Sequence, residues 1–136
     1  MAQYLLDTDI CIAFLKGKNN LLEKTEKVGF DNCHVSEITI GELTYGAYYS
    51  DRIEKHKEEV IKTEKLFQIV PIFECLDFFG KEKAKLRREG NLIHDFDLLI
   101  GATAVHFDMI MVTNNEKHLS RISGIKIENW IKNEVK

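Results

Sequence analysis

Apolar and polar residues fall in short blocks along this chain, and the blocks read alternately as strands and helices. Tyr4-Leu5-Leu6 is an apolar run that meets an acid at Asp7, with Thr8 and Asp9 just beyond. Ile10 to Lys16 predicts a short helix packed back on that strand and released at Gly17-Lys18-Asn19-Asn20. Leu21 to Val28 predicts a second helix, ended by Gly29. Cys33-His34-Val35 is apolar enough for a second strand, and Ser36 is a good N-cap for a helix from Glu37 to Tyr49. The stretch from Asp51 to Gln68 is dense in Glu and Lys, with Ile53, Val60 and Phe67 repeating at seven residues. It predicts a solvated helix with one narrow apolar seam, able to form a hairpin arm with the helix before it. Ile69-Val70-Pro71-Ile72 predicts a strand whose Pro points to an edge position or to the strand's end. Glu74 to Glu89 predicts a helix with Lys81, Lys85 and Arg88 on one face. After a break at Gly90-Asn91, His94-Asp95-Phe96-Asp97 opens the most hydrophobic helix, Leu98 to Phe107. Met109 to Val112 predicts a buried strand ending at Thr113, and Ile125 to Ile127 a last short one. This alternation predicts one α/β domain over residues 1–136, with a mainly parallel sheet flanked by helices.

Bulk composition narrows the function classes only a little. At 136 residues, 44% hydrophobic, the chain is the size of one domain and long enough to bury a core. Its net charge of −3 announces no general basic field, although acids grouped at one site can coexist with a local basic face that touches phosphate. No apolar run approaches bilayer length, and the acid at position 7 is wrong for a secretion signal, so a cytoplasmic protein is expected. Cys11, Cys33 and Cys75 are odd in number and widely spaced, which predicts buried free thiols rather than a metal site or a disulfide framework.

Three acids ask for a chemical explanation. Asp7 follows a buried strand, although an Asp there can also cap the next helix. Glu42 interrupts the stripe Ile38, Tyr45, Tyr49 of a helix that is apolar on two sides, so burial on both is expected. A carboxylate there needs a Lys or Arg partner, a proton or a cation. Asp97 lies in the first turn of the most hydrophobic helix, heading the small residues Gly101 and Ala104, while Asp95 has an adequate role as N-cap. In a parallel sheet, strand carboxyl ends and helix N-termini gather at one edge, so the three acids can meet. Carboxylates that close repel unless a cation separates them, and an all-oxygen site suits Mg²⁺ or Mn²⁺.

With these residues in view, the chain resembles the PIN-domain ribonucleases, and among them the VapC-type toxins of toxin–antitoxin pairs. The resemblance rests on LLDTD at residues 5–9, VSEITIGELTYGA at 35–47, GNLIHDFDLLIGATA at 90–104 and MVTNNEKHLSRI at 111–122. It implies a PIN-like fold, with Asp7, Glu42 and Asp97 as the metal-binding and catalytic acids. Asn115 stands where the family often has a fourth acid; Glu116 beside it, or Asp95, is a candidate substitute, and Thr8 and Thr113 are candidate supporting hydroxyls. The resemblance also implies Mg²⁺- or Mn²⁺-dependent cleavage of RNA to 5′-phosphate and 3′-hydroxyl ends, a homodimer, and inhibition by a small antitoxin. Two other readings accompany it. Asp7-Thr8-Asp9 also resembles the opening motif of haloacid-dehalogenase-type phosphatases, with Cys11 where that family has Thr or Val. A catalytically degenerate PIN fold acting as a binding scaffold is the non-enzymatic one.

Overall fold

The computed structural model describes residues 1–131, so the last five positions of the expected domain, 132–136, lie outside the described residues. Five strands of the described residues form one sheet: β1 (Tyr4–Leu6), β2 (Cys33–Ser36), β3 (Gln68–Val70), β4 (Ile110–Val112) and β5 (Lys126–Glu128). Their order is β3-β2-β1-β4-β5 and every neighbouring pair is parallel, so the sheet is wholly parallel. Pro71 directly follows β3, which is an edge strand. A residue without an N–H is tolerated there because no further strand needs a donor.

Among the described residues, seven helices connect the strands: α1 (Thr8–Leu15), α2 (Leu21–Val28), α3 (Glu37–Tyr49), α4 (Ile53–Leu66), α5 (Leu76–Arg88), α6 (Asp95–His106) and α7 (Glu116–Leu119). Parallel strands buried on both faces send successive side chains to opposite layers. Leu5 pairs in register with Met111, and both pack with Leu86, Leu98, Ile100 and Leu119. Leu6 pairs with Val112, and these face the other way, onto Ile10, Leu21, Val35 and Phe67. Helices α5, α6 and α7 therefore cover one layer, and α1 and α2 the other. Trp130 closes the second layer, its ring 5.4 Å from Tyr4.

Several expectations shift when the chain folds. Helix α1 begins at Thr8, two residues before the expected Ile10, because the Asp7 side chain accepts from Thr8 N at 2.8 Å and starts the helix there. His94, not Asp95, is the N-cap of α6; its Nδ1 accepts from Phe96 N, and Asp95 pairs instead with Lys83 at 3.0 Å. A 3-10 turn at Phe73–Cys75 precedes α5, so that helix starts at Leu76. The second stripe of α3 is not buried: Tyr45 is 68% exposed and Tyr49 81% exposed, their rings stacked at 5.8 Å. α4 packs beside α3 and its seam is covered at Val60 and Phe67, but Ile53 stays exposed. The thiols of Cys11, Cys33 and Cys75 are free and buried, as expected.

Candidate active site

The sheet order places its switch point between β1 and β4. From β1 the chain steps outward through β2 to β3, then crosses to the other side of β1 for β4 and β5. Connections leave in opposite directions there, which opens a crevice beyond the carboxyl ends of the two strands, the usual ligand position in such sheets. Asp7 follows β1 and Thr113 follows β4, and Asp7 N donates to Val112 O at 2.9 Å, which locks the two strand ends together. The Asp7 side chain is buried. Its Oδ1 accepts from Thr8 N at 2.8 Å and its Oδ2 from the Thr113 hydroxyl at 2.7 Å.

The other expected residues stand around this acid, linked through Thr8, Thr113 and Asn115. Thr8 Oγ1 donates to Glu42 Oε1 at 2.6 Å and lies 3.0 Å from the Thr39 hydroxyl, so α1 and α3 are tied across the crevice. Glu42 thus finds a hydroxyl partner, not the Lys or Arg that burial alone would require. Asn115 N donates to Thr113 Oγ1 at 2.9 Å, and Asn115 Nδ2 approaches Asp97 Oδ2 at 3.5 Å. Asp97 is half-buried in the first turn of α6. Of the remaining candidates, Asp95 is held by Lys83, and Glu116 Oε2 accepts from Asn129 Nδ2 at 3.0 Å, an amide that also donates to Asn114 Oδ1.

One residue of the cluster was not among those expected. Asp9 sits in the first turn of α1, where its Oδ2 accepts from Asn114 N at 3.1 Å. Its Oδ1 is buried and has no hydrogen-bond partner. The signal was present in the spacing: with Asp7 as the N-cap, Asp9 falls two places into the helix, beside the same strand ends. Burial pushes the Asp9 carboxyl up, with a further push from Asp97, against the hydrogen bond from Asn114. Asp7 is pushed up to about 7, first by burial and next by the charge of Asp9; its bonds from Thr113 and Thr8 pull the other way, and Asp97 adds a smaller push. Burial also pushes the Cys11 thiol up, so it is no nucleophile beside them.

These observations fit a divalent cation by donor chemistry. The groups are hard oxygens, one of them an orphaned buried carboxylate atom, and mutual repulsion would be relieved by positive charge. Among the described residues no three Asp, Glu, His or Cys side chains form a ready-made ion-holding group, so the acids are neighbours around the crevice and not a closed chelate. Beside the crevice, between α1, α3 and α4, runs a cleft of about 590 Å³. It is lined by apolar residues such as Ile12, Leu43 and Val60 and by Lys55, His56 and Glu42.

Fold and crevice together define a class: a parallel α/β domain with carboxylates gathered at the switch point of its sheet. Residues 4–125 match the PIN domain, and the chain belongs to that family. It is 30% identical over 141 residues to the tRNA(fMet)-specific endonuclease VapC of Salmonella typhimurium, which covers 96% of this chain and 99% of the relative. It is 32% identical over 135 residues to ribonuclease VapC2 of Haemophilus influenzae strain Rd, with 96% and 100% covered. The DNA-bound VapBC complex of Salmonella typhimurium superposes with a TM-score of 0.88 at 29% identity, over 96% of this chain and 99% of that one. VapBC2 of Rickettsia felis, bound to a DNA fragment from its promoter, superposes with a TM-score of 0.87 at 28% identity, over 93% and 98%. Membership of the PIN family displaces the phosphatase reading of Asp7-Thr8-Asp9.

Proposed function

We propose that this protein is a metal-dependent ribonuclease toxin that a cognate antitoxin neutralises. The observation that carries the reading is the buried Asp7 carboxylate at the sheet's switch point, pushed up to about 7 beside Asp9 and Asp97. Its curated relatives are named ribonucleases and a tRNA endonuclease, which supports RNA as the substrate class. Asp7, Asp9, Asp97 and Glu42 are the residues that would hold Mg²⁺ or Mn²⁺. A bound ion of that kind would lower the pKa of an attacking water and offset charge on the scissile phosphate. The protein's own part is positional. Thr113 and Thr8 fix both oxygens of Asp7, and the Thr8 hydroxyl holds Glu42 at the crevice wall. Hydrolysis forms a bond from water oxygen to phosphorus and breaks the bond from phosphorus to O3′, leaving a 5′-phosphate and a 3′-hydroxyl.

Structures of relatives as VapBC complexes support an antitoxin partner. The cleft between α1, α3 and α4 mixes apolar and charged lining, which suits an amphipathic helix from such a partner. A homodimer and a cytoplasmic location belong to the same reading; no helix among the described residues is long and apolar enough to cross a membrane. The test is incubation of purified protein with structured RNAs, initiator tRNA first, in Mg²⁺ or Mn²⁺. Cleavage that EDTA stops and added ion restores is expected. No cleavage of any RNA in either ion would favour the scaffold reading.

A further inference from the structure

Asn115 has polar neighbours at three atoms. Its N–H donates to Thr113 Oγ1 at 2.9 Å, the same hydroxyl that donates to Asp7. Its Oδ1 lies 2.8 Å from His118 Nδ1, three residues on across the single turn of α7. Its Nδ2 points at Asp97 Oδ2, 3.5 Å away. A side-chain amide can be turned either way round, and the two ways have opposite meanings beside a carboxylate. With Nδ2 toward Asp97 the amide donates and steadies a charged oxygen. With Oδ1 toward Asp97 two acceptors would face each other. In the tautomer that carries its proton on Nδ1, His118 selects the first arrangement, because that donor can bond only the amide oxygen.

We propose that His118 is a positioning residue which, through Asn115, holds the Asp97 carboxylate in its working orientation. Asn115 then supplies a hydrogen-bond donor, and no negative charge, at the corner of the crevice nearest Asp97. The site's acids stay Asp7, Asp9, Asp97 and Glu42. This inference rests on the proposed nuclease site, yet the orientation of the amide is a property of the protein without substrate.

The experiment is a double-mutant cycle on His118→Ala and Asn115→Ala, with His118→Gln as the conservative variant, because a Gln amide can also donate to Asn115 Oδ1. Two readouts are taken, RNA cleavage and the Kd of Mn²⁺ by calorimetry. One neutral hydrogen bond of ordinary strength corresponds to about a five-fold effect. His118→Ala should lower kcat by about that factor with KM unchanged, and should weaken Mn²⁺ by a similar factor. Asn115→Ala should do at least as much, and the double variant no more than Asn115→Ala alone. His118→Gln should recover most of both losses. Effects that multiply in the double variant, or a His118→Ala protein with wild-type Mn²⁺ affinity, would overturn the proposal. If the wild type cleaves no RNA, the nuclease reading fails, and the Mn²⁺ cycle still decides the inference.

Discussion

Asp7 spends one carboxylate on two tasks, capping α1 and facing the crevice, and the two pull its protonation in opposite directions. Hydrogen bonds from Thr8 and Thr113 favour the charged form, but burial and Asp9 outweigh them. In the unfolded chain an Asp ionises near pH 4. Between there and about 7, the folded, metal-free protein keeps a proton that the unfolded chain has lost. Stability attributable to Asp7 is therefore highest below pH 4 and falls as pH rises through 7, by on the order of 4 kcal/mol. Asp7→Asn removes that fall: its Oδ1 still accepts from Thr8 N, and the Thr113 hydroxyl can turn to accept from Nδ2. Urea melts of the metal-free proteins across pH 4 to 8 should show the variant gaining on the wild type as pH rises. Parallel curves would mean that Asp7 is ionised without cost. The sequence already marks Asp7, which ends an apolar strand, Glu42, which interrupts an apolar stripe, and Asp97, which opens the most hydrophobic helix. Asp9 was hidden because an acid beside a cap reads as more of the cap; only the fold reveals that its Oδ1 is buried without one.

At the scale of elements, α6 shows why a small residue sits where it does. Gly101 faces the segment after β4, and a Cβ there would come 2.3 Å from Ile122 Cδ1 and 3.2 Å from Leu119 Cδ1. The small stripe below Asp97 thus admits side chains of α7 and its following turn, not a neighbouring backbone. Gly101→Val should destabilise by about 1–3 kcal/mol through overpacking, measured by denaturant melts. Because α7 also carries His118 beside Asn115, the same variant should weaken Mn²⁺ binding. A variant as stable as the wild type would show that Ile122 has room to move. Hydrophobic periodicity made the helices and strands legible here, with ends moving by one or two residues where caps decide them. It could not say which stripe of α3 the fold covers. Two apolar stripes predict two packed faces, but a pattern cannot distinguish the protein's own core from a surface meant for another molecule.

For the whole molecule, the exposed stripe of α3 becomes the clearest sign of a partner. Tyr45 and Tyr49 stack on one another in solvent, on the helix whose Glu42, Leu43, Gly46 and Ala47 line the cleft. Tyrosines are enriched among the few residues that carry most of the binding energy of a contact. Tyr49→Glu should weaken the cognate antitoxin at least about ten-fold, the scale set by losing one such anchor. Titration calorimetry against the purified antitoxin measures this, and an unchanged Kd would place the contact elsewhere. The parallel sheet itself was legible from the alternation of elements; the strand order was not. Only that order puts the switch point between β1 and β4, and so explains why Asp7 and Thr113 share a crevice.

The central claim is that this crevice performs the hydrolysis, and Asp7 tests it most directly. The measurement is the single-turnover rate of RNA cleavage by wild type and Asp7→Asn at the same Mn²⁺ concentration, with folding of both checked by their melts. A residue that helps hold the ion and the attacking water acts chiefly in the transition state, so the variant should be slower by at least about 10²-fold. Cleavage by Asp7→Asn at the wild-type rate would contradict the account and send the search for the reacting groups elsewhere on the protein.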